Sequence, residues 1–156
     1  MHNMVYWKDL RGKVIDNVNL MPQGTIGFIY LITTPDGSYI GKKSTISVTK
    51  KHFGKKQLAE ITDKRLKTYE MVVKESNWKK YTGSNKELNE LIQKGSEYTK
   101  TILEYAFSKK HLTYLELKFL FKYDVIVPSD NPAKTRFFND NINGTFFRKD
   151  FIFEKD

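Results

Sequence analysis

Five consecutive apolar residues rich in strand formers, Phe28-Ile29-Tyr30-Leu31-Ile32, run into Thr33-Thr34-Pro35-Asp36-Gly37 and then Ser38-Tyr39-Ile40-Gly41. β-Branched and aromatic side chains suit a pleated surface, and an Asp-Gly pair supplies the positive φ angles of a tight hairpin. The segment therefore reads as strand, turn, strand. With Asp36-Gly37 as a two-residue turn, Thr34 lies opposite Tyr39. Tyr30 and Tyr39 then share one face of the sheet, about four residues or on the order of 13 Å apart. A wider loop brings them opposite each other.

The remaining pattern fills out a single small domain. Residues 1–24 read as an N-terminal extension packed by Trp7 and Leu10, and residues 25–156 as the domain proper. Between 44 and 80, Leu58, Ile61, Tyr69 and Val72 suggest helical turns, although the charge density suits a loop equally well. Ser84-Asn85-Lys86-Glu87 has the form of a capping box. It opens a helix carrying Leu88, Leu91 and Ile92 on one face and stopped by Gly95. Thr99, Thr101, Leu103, Tyr105 and Phe107 alternate with Lys100, Ile102, Glu104 and Ala106 as in a strand. A second helix follows from Lys110 to Tyr123. Phe137-Phe138-Asn139, a turn at Asn143-Gly144 and Phe146-Phe147 predict a terminal hairpin. The order is that of an α/β sandwich with a mostly antiparallel sheet.

Charge narrows the function. Of the net +9, nearly all lies between Lys42 and Lys80, where twelve basic residues stand against four acidic ones. A concentrated positive field attracts polyanions, and nucleic acid is the partner expected. The absence of cysteine excludes disulfides and thiolate zinc sites. No apolar run approaches the roughly 18 residues of a membrane span, so no membrane partner and a cytoplasmic location are expected.

One acid stands out by its setting. In the helix His111-Leu112-Thr113-Tyr114-Leu115-Glu116-Leu117-Lys118-Phe119-Leu120, Glu116 falls in a row with Leu112 and Leu120, away from Lys118 and Lys122. An unpaired carboxylate buried there costs several kcal/mol, so it calls for a partner, either a cation or water and a lysine.

Gly27-Phe28-Ile29-Tyr30 followed by Tyr39-Ile40-Gly41-Lys42 resembles the paired signature of the GIY-YIG nuclease family. The resemblance covers about Thr25 to Phe147. Trp78-Lys79-Lys80-Tyr81-Thr82-Gly83-Ser84 also looks like single-domain members found in phages, of the homing type. It implies a three-layer α/β sandwich, with a mostly antiparallel three-stranded sheet flanked by helices. It further implies a DNA endonuclease using Mg²⁺ (or Mn²⁺), with no small-molecule substrate. Glu116 matches the family's metal-binding glutamate. Tyr30 would activate the attacking water and Tyr39 orient it, although the family leaves open which tyrosine is the base. Lys42 would stabilise phenolate and lower the phenol's pKa.

The family's arginine spacing is occupied by Thr49. Lys50, Lys51 or a folded-back Arg65 is left to hold phosphate, and His52 takes the histidine position. Asn139 best fits the family's late asparagine, with Asn141 the alternative. Lys43, Lys50, Lys51, Lys55, Lys56, Arg65 and Lys80 are the expected nucleic-acid contacts, and Trp78 reads as core before contact. The alternative function is a catalytically silent nucleic-acid-binding module of the same fold.

Overall fold

The computed structural model describes residues 4–63 and 65–151. Its main sheet contains β1 (Trp7–Lys8), β2 (Gly27–Thr34), β3 (Gly37–Ser44) and β6 (Thr99–Ala106), in the order β1-β6-β2-β3. The expected antiparallel trio is β6-β2-β3, and the two-residue β1 adds a parallel edge along β6. A separate antiparallel ribbon pairs β4 (Ile46–His52) with β5 (Tyr69–Glu75), with the short α1 (Lys55–Ala59) between them. Helices α2 (Lys86–Gln93) and α3 (Lys109–Lys122) complete the layers. A small hairpin, β7 (Asn141–Ile142) with β8 (Phe146–Phe147), follows through Asn143 and Gly144, both at positive φ.

The period-two pattern of β2 divides the interior into two cores. Ile29 and Ile40 face α3, where they meet Leu112, Leu115, Phe119 and Leu120. Phe28, Tyr30 and Ile32 face the other way, onto Trp7, Trp78, Leu88 and Phe138. Trp78 is thus a core residue, with its ring nitrogen donating to Glu75 Oε1 at 2.9 Å and its carbonyl accepting from Trp7 Nε1 at 2.6 Å. Trp7, Ile15 and Met21 are buried with it, so the N-terminal stretch lends side chains to this core. Leu10, expected to pack, is exposed.

Three local expectations change. The hairpin turns at Pro35-Asp36, so Thr34 pairs with Gly37 and Tyr39 with Ile32. Proline presets the φ of a turn's second residue, and the buried Thr34 hydroxyl secures the rest. It accepts from the backbone N–H of Asp36 and Gly37 and donates to the Gly37 carbonyl. The 44–80 region, expected as helical turns or loop, forms the short α1 around Leu58 and loop beyond it, but its two ends pair as the β4–β5 ribbon, where β-branched Ile46, Val48, Val72 and Val73 suit strands. Helix α2 begins one residue later than the capping box placed it. Asn85 caps it by accepting from Leu88 N–H, which frees Ser84 and Glu87 for other partners.

Candidate active site

Strand β3 is the open edge of the sheet, and its outward backbone groups organise the site. An unpaired edge invites foreign strands unless it is covered. Here the N–H of Ser38 donates to the Arg136 carbonyl at 2.9 Å, and Phe138 N–H returns to Ser38 O at 2.7 Å. At the next outward position the Asn139 side chain substitutes for a strand. Its Oδ1 accepts from Ile40 N–H at 3.1 Å, and its Nδ2 donates to Ile40 O at 2.8 Å. One outward position further on, the Lys42 backbone amide helps to hold the Glu116 carboxyl's pKa down. Arg148 steadies the covering segment from behind by donating to the carbonyls of Val125, Phe137 and Asn139.

Beside this edge opens a cleft of about 400 Å³, lined by Tyr39, Ser84, Glu116, Asn139, Asp140 and Asn141, among others. Its α2 wall is pinned by Asn85 Nδ2 to Phe138 O and by the Arg136–Glu87 ion pair at 3.1 Å. Glu116 lies on the α3 wall with its side chain 24% exposed, Lys42 Nζ 3.9 Å away and Leu120 one turn on. Burial pushes the carboxyl above the ordinary range, while Lys42 pulls it back. The apolar row read from the helix therefore does hold a partly sheltered acid.

The two tyrosines are neighbours with unequal access. In the observed register Tyr30 pairs with Gly41, two positions from Tyr39 along β3. Their ring centroids are 6.2 Å apart, closer than the Asp36-Gly37 turn implied. Tyr39 reaches the cleft and shares a hydrogen bond with Ser84 Oγ at 3.2 Å. Tyr30 lies behind it, 1% exposed and edge-on to Tyr81 at 5.9 Å. Gly41 makes this stacking feasible, because a Cβ there would stand 2.6 Å from Tyr30 Cζ and closer still to its hydroxyl.

Both phenols are pushed above their ordinary pKa, by burial first. Tyr81 and Glu116 add to the shift at both. The expected relief from Lys42 is absent. Odd and even positions of β3 face opposite sides, so the Lys42 side chain runs to Thr113 and Glu116 rather than to the phenols. The lysine on the tyrosine side is Lys43, whose Nζ stands 4.3 Å over the Tyr81 ring.

The other expected residues lie elsewhere. Lys50, Lys51 and His52 are at the far end of β4, with Lys50 and His52 against Tyr69, and Thr49 is opposite Val72. Lys55 and Lys56 are exposed on α1, and Arg65 is exposed and held by Asp63 through two hydrogen bonds. Lys80 is exposed in the loop before α2. Tyr81, Ser84 and Asp140 join the site without having been singled out for it. Tyr81 and Ser84 lie in the Trp78–Ser84 segment that resembles phage members of the family, whereas only its place beside Asn139 hinted at Asp140.

Residues 12–142 match the family model SegE_GIY-YIG, described as "Putative endonuclease segE, GIY-YIG domain". That match sets the class of the protein as a GIY-YIG domain, in a chain whose tyrosine pair lies on adjacent strands and whose cleft is lined by Tyr39 and Glu116. The match spans most of the chain, which belongs to the GIY-YIG nuclease family in its segE endonuclease branch. No curated protein and no solved structure matches the chain. No helix among the described residues is long and apolar enough to cross a membrane.

The donor set at the cleft is all oxygen. Among the described residues no three His, Asp, Glu or Cys side chains converge on a point. Carboxylate and amide oxygens of this kind fit a hard cation that keeps much of its water.

Proposed function

We propose that this domain hydrolyses DNA phosphodiester bonds with a divalent cation, Mg²⁺ or Mn²⁺, held by Glu116. The observation that carries the reading is one partly buried carboxylate on the wall of the cleft that Tyr39 also lines. A cation bound there would neutralise phosphate charge and acidify a bound water.

The chain's own residues supply the rest. Lys42 favours the ionised form of Glu116 against the larger upward push of burial and pairs with it at 3.9 Å. A phenol whose pKa is raised stays neutral near pH 7, so Tyr39 is a poor base but a sound hydrogen-bonding post for the attacking water. Tyr30 is too enclosed to meet water and acts as a positioning residue behind Tyr39. Asn139 acts through the backbone, since its amide holds Ile40 and hence the β3 edge. His52 is left out of the centre, six strand residues from the ribbon's base. In the net reaction the water's hydroxyl joins phosphorus, the phosphorus–oxygen bond breaks, and the departing sugar oxygen takes the proton.

Incubation of supercoiled plasmid with Mg²⁺ tests the proposal. Wild type should convert it to nicked or linear forms, and Glu116→Gln should lose at least about a hundredfold in rate. Equal cutting by the two proteins would remove Glu116 from the chemistry. No cutting by either, with DNA still bound, would favour the silent binding module.

A further inference from the structure

The β4–β5 ribbon projects from the sheet and carries none of the side chains of either core. Its base is fastened by Ser76 N–H to Thr45 O at 2.9 Å and Ser76 Oγ to Ser44 O at 2.6 Å. Its two faces differ. One is the more apolar, with Ile46, Val48, Met71 and Val73, the last two 51% and 59% exposed, and carries Lys50 and His52 against Tyr69 at its tip and Glu75 at its base. The other presents Ser47, Thr49 and Lys51 from β4 opposite Lys74, Val72 and Glu70 of β5, so that its outer lysine faces an acid while Ser47 and Lys74 lie nearest the base. A lone two-stranded ribbon is marginal in water, so an arm exposed on both sides needs a partner to hold it in place.

The polar face shows which partner. Ser47, Thr49 and Lys74 open onto a second cleft of about 420 Å³ whose wall includes Lys43, with Glu75 the one acid on it. Lys43 in turn covers Tyr81, which packs on Tyr30. A polar, basic track therefore leads from the tyrosines out along one ribbon face. We propose that this face enters the major groove of duplex DNA and reads base edges to one side of the scissile phosphate, an inference that rests on DNA being the substrate. Dimensions favour that groove: two strands about 4.8 Å apart make a ribbon roughly 10 Å wide with side chains. The major groove is about 12 Å wide and the minor about 6 Å. Serine and threonine hydroxyls bond any base edge, and lysine favours guanine O6 and N7. From Ile46 to His52 the strand advances roughly 20 Å, so the reading extends about six base pairs from the cut.

Binding, measured apart from cutting, tests this. In a Glu116→Gln background, duplex affinity is titrated against salt by fluorescence anisotropy for two double variants. Lys51→Ser/Lys74→Ser should bind about tenfold more weakly, with the log–log salt slope shallower by as much as about 1.8. Met71→Ser/Val73→Ser, on the opposite face, should bind within about twofold of the parent. Methylation of guanine N7 within about six base pairs on one side of the cut should weaken binding. Unchanged affinity in the lysine variant, equal losses from both faces, or indifference to N7 methylation would each overturn the proposal. Failure to cut in the plasmid assay sinks the nuclease reading instead and leaves these binding results standing.

Discussion

Replacing Gly41 by alanine puts a methyl group into the tightest point of the tyrosine cluster. The new Cβ would stand 2.6 Å from Tyr30 Cζ and 3.1 Å from Tyr39 Cε1. Tyr30 has no room to withdraw, with Trp7 at 5.3 Å, Phe28 at 6.4 Å and Tyr81 at 5.9 Å between ring centroids. Overpacking of this kind costs about 1–3 kcal/mol. At roughly 2–4 °C per kcal/mol for a chain of this size, Gly41→Ala should melt roughly 2–12 °C below wild type. Thermal unfolding followed by circular dichroism reads the difference directly. Adding Tyr30→Phe deletes the oxygen nearest the new methyl, and the double variant should recover part of the loss, so that the two changes couple favourably. Gly54, with nothing within 4 Å of its virtual Cβ, is the control, and Gly54→Ala should shift stability by less than about 0.5 kcal/mol. A Gly41→Ala protein that melts with wild type would refute the close packing on which the tyrosine geometry depends.

Three other outcomes follow from the same structure. Asn139→Ala leaves both Ile40 backbone groups without their partner and should cost about 2–4 kcal/mol in urea unfolding, with a fall in cutting rate through the displaced β3 edge. Trp7→Ala empties a fully buried site and should cost about 3–5 kcal/mol by the same measurement, whereas Leu10→Ala should be silent. Lys100, buried against Trp7 and donating to Lys79 O at 3.1 Å, has its pKa pushed down from 10.5 to about 8 by burial. Below pH 8 the fold carries the full cost of the sheltered ammonium. As the pH rises from about 8 towards 10, the native state loses that proton before the unfolded chain does. Stability should therefore rise by on the order of 1–3 kcal/mol over that window, and Lys100→Met should abolish the rise.

Much of the site could be read in the chain because its determinants are local. The shared face of Tyr30 and Tyr39 follows from strand alternation whatever the turn, and the sheltered row of Glu116 follows from helical periodicity. What failed depended on one-residue choices or on distant chain. Pro35 and the Thr34 hydroxyl moved the turn by one residue, which brought the phenols from four residues apart to two. The direction of Lys42 follows from the same alternation that places the tyrosines, yet family resemblance drew it to the wrong side of β3. Asn139 matches the family's late asparagine, but only the folded edge shows its amide engaged with Ile40, ninety-nine residues away. Of the helically spaced Leu58, Ile61, Tyr69 and Val72, only Leu58 lies in a helix, the short α1, while the long-range pairing of β4 with β5 took Tyr69 and Val72 into a strand.

The central claim is that Glu116 seats a cation in the cleft that Tyr39 lines. Trace Mn²⁺ added to isotopically labelled protein should selectively broaden the amide resonances of Tyr39, Ile40, Ser84 and Asn139 in wild type and leave them sharp in Glu116→Gln. Broadening that persists in the variant, or that centres on other residues, would contradict it.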